Sequence, residues 1–255
     1  SLDRAVRAFA NVVTYARALQ AKRLSYSVTR TLPALEPQGL LSEYSSKSWL
    51  AGQGIDFPAG GLATTIAEAL KTADRIGYPV VLKAQAAALP HKSDAGGVKV
   101  NLKHADDLKV AYEQMLSSVA KARPELVRDG VLVEKMGASG VELIVGARRD
   151  PEWGPVLMVG LGGIWIEALK DVRLLPATAT EQTILDELQQ LKGVALLNGL
   201  RGSLPVDTQA VAQVVATLGQ VMLSCPEVAE IDINPLVAYP DGAVALDALV
   251  VTAQD

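Results

Sequence analysis

The chain of 255 residues is poor in several things, and each shortage removes possibilities. It has one cysteine, Cys225, so no disulfide can form within it, which suits a reducing, cytoplasmic setting. Formal net charge is −4 and no stretch is strongly basic, which argues against a nucleic-acid partner. No apolar run approaches the roughly 20 residues that a membrane-spanning helix needs, so no membrane partner is expected. The first segment, SLDRAVRAFANVVTYARALQ, carries Arg4, Arg7 and Arg17 and has no continuous apolar core, unlike a signal peptide. It begins at Ser1, as expected of a chain cut from something longer or processed. No internal repeat is present, and no glycine run has the full dinucleotide-binding spacing.

Hydrophobic residues make up 49% and charged residues 20%, enough for a sizeable core in one large domain or two modest ones. Residues 2–22 read as an amphipathic helix with Val6, Phe9, Val13 and Ala16 on one stripe. Residues 25–41, with Pro33, Pro37 and Gly39, read as a linker. Helices are expected over 42–52, capped by Ser42, and from Thr65, where Thr65 and Glu68 have capping-box spacing, to Gly77. Another follows through Leu108, Tyr112, Met115 and Val119, and two more at about 180–192 and 208–224, the last capped by Asp207. Strands are expected over 78–83, 98–102, 131–136, 141–148 and 155–160. Residues 231–237 and 243–251, joined by Pro240-Asp241-Gly242, form a β-hairpin. Helices and strands mix without strict βαβ alternation, which indicates an α+β fold with two lobes.

Four segments could carry chemistry. In Lys83 to Lys99 a lysine ends one strand and another begins the next. The loop between holds His91, Lys92, Ser93, Asp94 and the pair Gly96-Gly97. Adjacent glycines let amides approach phosphate oxygens, and lysines supply point charges. On spacing alone the segment is equally a surface loop with solvated charges. His91 is one of two histidines, and imidazole can attack phosphorus; His104 reads as a surface residue at a helix start. The terminal hairpin carries Glu230, Asp232, Asn234 and Asp247, oxygen ligands that suit Mg²⁺ but also suit a solvated strand face. Glu134-Lys135-Met136 ends an apolar strand, with Glu142 beyond it. Gly160-Leu161-Gly162-Gly163, with Glu167 further on, is a glycine run of low specificity.

Taken together, HKSDAGGVKVNL, GVELIVGARRDPEWGPVLMVGLGGIWIEALKDV and AEIDINPLV resemble the ATP-grasp part of the nucleoside-diphosphate-forming acyl-CoA synthetases, relatives of succinyl-CoA synthetase. The resemblance covers about residues 42–252. It implies an ATP-grasp fold, two α+β lobes with the nucleotide between them: 1–41 as helix and linker from a preceding module, 42–130 as the smaller lobe with its lead-in, and 131–255 as the larger. It implies ATP and Mg²⁺ as cofactors. Lys83 would contact the phosphates, with Gly96, Gly97 and Lys99 over the nucleotide. Glu134, Lys135 and Met136 would form the hinge, offering backbone groups to adenine, and Glu142 would lie close by. Asn234 and Asp247 would hold Mg²⁺ with Asp232 nearby, and His91 would be the phosphorylated histidine; Glu167 carries over less directly. The chain departs from the family in having Ala86-Ala87-Ala88-Leu89-Pro90 before the histidine, and in the shortened segment after Lys170-Asp171-Val172.

The activity so implied is that of an acid–CoA ligase: carboxylic acid, CoA and ATP give acyl-CoA, ADP and phosphate through phosphohistidine. The CoA-binding and ligase modules it needs are not in this sequence, and would lie in the same longer chain or in an α-type subunit. Two rivals remain at this level. One is an ATP- or CoA-responsive synthetase-like domain regulating a protein acetyltransferase. The other is an ATP-grasp ligase that forms an acyl phosphate directly.

Overall fold

A computed structural model of the chain describes residues 39–85, 96–122, 129–163, 171–200 and 202–253, together with Val6, Phe9 and Val13. The chain divides into two units, Ser1–Thr31 and Leu32–Asp255. In the first, Val6, Phe9 and Val13 are helical. His91, Ser93, Asp94 and Glu167 lie outside the described residues.

The second unit opens with helix α1, Glu43–Ala51, whose N-cap Ser42 accepts from the Ser45 amide at 3.3 Å. Strand β1, Gly60–Ala63, leads into α2, Ile66–Ile76. Thr65 caps α2 through the Glu68 amide, while the Glu68 carboxylate reaches back to the Thr64 amide at 2.8 Å. Both bonds satisfy amides that have no partner inside the helix. Strands β2, Val80–Gln85, and β3, Val98–Leu102, precede α3, Ala105–Ala122, and strand β4, Gly130–Lys135. These four strands form one antiparallel sheet in the order β1-β4-β2-β3. Val80, Leu82, Ala84, Val131 and Val133 point from it into a core with Leu108, Met115 and Ala73 of the two helices. The period of two leaves Val81, Lys83, Gln85, Leu132 and Glu134 on the other face.

Strand β4 therefore belongs to this first sheet, so the chain leaves it after Lys135 rather than at the expected 130/131 boundary. The physical reason is its pairing on both sides, with β1 and with β2.

The second sheet comprises β5, Val141–Asp150; β6, Gly154–Leu161; β7, Val172–Pro176; β8, Val228–Tyr239; β9, Gly242–Ala245; and β10, Ala248–Thr252. Its order is β10-β8-β5-β6-β7, with β9 also on β8. Helices α4, Glu181–Leu188, and α5, Thr208–Ser224, cover one face. Leu143, Val145, Leu157, Val159, Ile231 and Ile233 meet Val211, Leu218 and Met222 there. Each such side chain removed from water contributes about 1.5–3 kcal/mol. Leu50 of α1 is fully buried in this same core, and the Val250 amide of β10 donates to Ser46 at 3.0 Å. Helix α1 is thus anchored to the second sheet.

The expected terminal hairpin is present but interrupted. β9 pairs with the second half of β8 and β10 with the first, and the break falls at Leu246-Asp247. Pro235 stands opposite this break. Having no amide proton, it cannot complete the ladder.

Candidate active site

The open face of the second sheet follows from alternation. With Leu143, Val145 and Ala147 inward, Glu142, Gly146 and Arg148 of β5 face outward beside Glu230, Asp232 and Asn234 of β8. The flanking pairs Leu236–Ala245 and Ile233–Ala248 set Asn234 directly across from Asp247, and the Asn234 amide donates to the Asp247 carbonyl at 3.3 Å. An amide oxygen and a carboxylate on neighbouring strands are the hard donors that Mg²⁺ takes alongside phosphate oxygens, so the two residues fit that ion. Burial, then the charges of Glu230 and Asp247, push the Asp232 carboxyl up to about 6. Beyond Asp232 the face opens into a groove of about 750 Å³ lined by Gly146, Arg148, Met158, Trp153 and Leu174.

Lys83 arrives from the other sheet. Its ammonium lies 2.7 Å from Glu43 Oε1, 2.6 Å from the Leu246 carbonyl oxygen and 3.1 Å from Glu134 Oε2. Lys47 of α1 joins the same cluster, 2.7 and 2.8 Å from the two Glu134 oxygens, 2.7 Å from Glu43 Oε1 and 2.7 Å from the Leu246 oxygen. All four side chains are nearly buried. Burial opposes the charge on Lys83, but Glu43, Glu134 and Asp247 outweigh it and hold the ammonium above its ordinary value. Burial and the adjacent Lys83 charge pull Lys47 below its own, against the two glutamates. The Lys83 ammonium bonds the carbonyl of Leu246, the residue before Asp247, which brings the cation and the candidate metal ligands to one place.

Glu43 and Lys47 were not among the residues expected from sequence. Their spacing of four on a helix was the available signal, since it sets both on one face. Nothing local indicates that the face meets two other charges.

The remaining expected residues divide. Gly97 accepts from the Ala84 amide at 2.8 Å, and Gly96, with φ of 69°, stands against Ser118 of α3; both lie at the Lys83 end of the β2–β3 ladder. Lys99 does not share the Lys83 face. The register pairs Lys83 with Val98 and Lys99 with Leu82, whose side chain enters the helix-covered core, so alternation sends the two lysines to opposite sides. At the expected hinge, the Lys135 and Met136 amides already donate to Ala59 and Pro79, at 2.8 and 3.1 Å. The Lys135 ammonium caps the Gly77 and Tyr78 carbonyls, at 3.1 and 2.7 Å. A base docking on this segment would use groups other than these two amides. His104 is exposed at the start of α3, where its ring accepts from the Asp107 amide at 3.4 Å, a helix-capping role.

Glu142 has an unexpected companion. The Gly162 amide donates to its carbonyl at 2.7 Å, and a Cβ on Gly163 would fall 2.7 Å from its Oε2. The glycine run therefore admits the Glu142 side chain rather than forming a dinucleotide loop.

The matching family model is that of an ATP-grasp domain and covers residues 34–252. A trans-feruloyl-CoA synthase from an unknown prokaryotic organism is 41% identical over 252 residues, covering 98% of this chain and 35% of the relative. The β subunit of acetate–CoA ligase (ADP-forming) I from Pyrococcus furiosus is 40% identical over 208 residues, covering 82% of this chain and 90% of that subunit. This chain thus spans about a third of the first relative and nearly all of the second. Among solved structures, a dinucleotide-forming acetyl-coenzyme A synthetase 1 from Ca. Korarchaeum cryptofilum, in complex with coenzyme A, Ca-AMPCP and HgCl+, superposes with TM-score 0.82 at 37% identity, covering 84% of this chain and 94% of that one. A second structure of that protein, with coenzyme A and Mg-AMPPCP, has its phosphohistidine segment pointing towards the nucleotide binding site; it gives TM-score 0.74 at 35% identity, covering 84% and 93%. With Lys83, Asn234 and Asp247 gathered between two antiparallel sheets and a family model spanning nearly the whole of the second unit, the chain belongs to the ATP-grasp domain family.

Proposed function

We propose that this chain is the ATP-binding, phosphoryl-transferring part of an acid–CoA ligase that works through phosphohistidine at His91. The observation that carries the reading is the 2.6 Å bond from Lys83, on one sheet, to the carbonyl of Leu246, which precedes Asp247 opposite Asn234 on the other. A triphosphate lying between the sheets would meet a lysine and two oxygen ligands together. Asn234 and Asp247 would hold Mg²⁺, which when bound offsets the charge on the phosphate oxygens.

Each of the chain's own groups then has a task. Lys83 draws the phosphates to the β2 side. Glu142, on the open face, lies close to the nucleotide. Gly96 and Gly97 allow close backbone approach at the end of β2–β3, while Glu134 and its neighbours line the crossing between sheets. The His91 imidazole attacks the γ-phosphorus as the bond from phosphorus to the ADP oxygen breaks, giving phosphohistidine and ADP. In the complete enzyme, a carboxylate takes the phosphoryl group from His91, and CoA thiolate displaces phosphate from the acyl phosphate. These later steps belong to CoA-binding and ligase modules, in the same longer chain or in an α-type subunit. The relatives support both arrangements, one being a longer chain and one a separate β subunit.

The two sheets, each with its own core, support a smaller lobe ending near Lys135 and a larger one from about Val141. Residues 1–31 then belong to the approach from a preceding module, whereas Gly39, Leu40 and Leu41 already pair with β10. A cytoplasmic location is consistent with the single cysteine, and no described helix is long and apolar enough to cross a membrane.

The test is incubation of the full protein with γ-labelled ATP and Mg²⁺. An acid-labile, base-stable label that is absent from the His91→Ala variant supports the reading. Nucleotide binding without any such label would overturn the relay and turn attention to the regulatory alternative.

A further inference from the structure

The Leu246 carbonyl is open to side chains for a sequence reason. It stands opposite Pro235, which lacks the amide proton that would fill it. Lys47 and Lys83 fill it instead, at 2.7 and 2.6 Å. An ammonium has three donors, and three oxygens surround that of Lys83: Glu43 Oε1, Glu134 Oε2 and Leu246 O. In this arrangement Lys83 is directed at protein oxygens. To reach a phosphate it has to release some of them.

Its release would leave Glu43 and Glu134 buried, with side chains 2% and 5% exposed. An uncompensated buried carboxylate is strongly unfavourable. Lys47 touches both carboxylates and the same carbonyl, so when Lys83 turns away it still bonds both and leaves one excess negative charge rather than two. Its position is set from elsewhere: α1 is fixed by Leu50 in the second core and by the bond from Val250 to Ser46.

We infer that Lys47 is a positioning residue for nucleotide binding, the counter-ion that keeps Glu43 and Glu134 paired so that Lys83 can turn to the phosphates. This rests on the reading of Lys83 as a phosphate ligand. Glu43 is its counterpart, holding the two lysines side by side. Without Lys47, Lys83 is the ammonium in this cluster that both carboxylates share, and the nucleotide has to compete with both.

The experiment measures binding of Mg-AMPPCP to the full protein by calorimetry, with thermal melting of each variant. Lys47→Met should weaken binding by at least about tenfold. Adding Glu134→Gln to it should restore most of that loss, because the excess negative charge is gone; a residue that only braced the fold would show no such recovery. Glu43→Gln alone should raise affinity, since Lys83 is then held less firmly, and it carries the test if Lys47→Met does not fold. Unchanged affinity in Lys47→Met, or affinity that is not raised in a Glu43→Gln variant that melts like the parent, would overturn the inference. Lys83→Met serves as the control. If it binds as tightly as the parent, or if the parent does not bind, the nucleotide reading itself fails; if it binds weakly while Lys47→Met does not, only the role of Lys47 falls.

Discussion

Asn234 and Asp247 face each other across the broken β8–β10 ladder, joined by a 3.3 Å bond from the Asn234 amide to the Asp247 carbonyl. They are neighbours because Pro235 and the Leu246-Asp247 step interrupt the ladder without shifting its register. The neighbouring Leu246 carbonyl accepts from Lys83 of the other sheet at 2.6 Å, so Asp247 lies beside that cation. Asp247→Ala should therefore weaken Mg²⁺-dependent nucleotide binding. Loss of groups that merely support metal ligands costs about 10–100-fold, so loss of a direct ligand should cost at least that. Calorimetric titration with and without Mg²⁺ checks it. Equal affinity in both conditions would remove Asp247 from the metal site.

Gly163 has φ of 58°, and a Cβ there would meet the Glu142 carboxylate at 2.7 Å. Gly163→Ala should cost about 1 kcal/mol through backbone strain and displace Glu142 as well. The expected result is a small fall in melting temperature with a clear loss of nucleotide affinity. A fall in melting temperature alone would show that Glu142 is not used.

Arg149 caps a helix from a distance. Its guanidinium donates to Met222 O at 2.8 Å, Cys225 O at 3.2 Å and Val228 O at 3.3 Å, at the end of α5. That helix has no basic residue in its last turn, so Arg149 supplies the charge that its terminal carbonyls favour. Arg149→Ala should cost about 2 kcal/mol, a fall of roughly 4–8 °C in melting temperature for a chain of this size. Nucleotide affinity at low temperature should be retained.

Cys225 closes α5 beneath Arg149 and is buried. Burial, then the Glu227 charge, raise its thiol above the ordinary range, with Arg149 opposing. Since the thiolate is the reactive form, alkylation of the native protein near pH 8 should be slow and become fast on unfolding. Rapid native labelling would contradict the burial.

The helices were legible because their signals are local. Ser42, Thr65 and Asp207 each accept a bond from an amide three residues on, as short polar side chains before apolar periodicity require. Strand alternation likewise gave the inward and outward faces of β5 and β8. The glycine pair, Glu142, Asn234 and Asp247 are candidates through family resemblance, which reads long spacings that a local pattern does not contain. Lys83 and Lys99 look equivalent in sequence, two lysines flanking one loop, until register assigns them to opposite faces.

The sequence by itself determined the caps, the periods, the two-lobed α+β character and the membership of Lys83, Asn234 and Asp247 in a recognisable pattern. Only the tertiary structure decided that Glu43 and Lys47 join Lys83 and Glu134, that β4 completes the first sheet, and that Arg149 closes α5. The reason is separation along the chain. Lys47 and Glu134 are 87 residues apart, and Lys83 lies 163 from Leu246. Contacts of that range are fixed by which apolar faces pack together and in what register, and charges are then buried where the packing carries them.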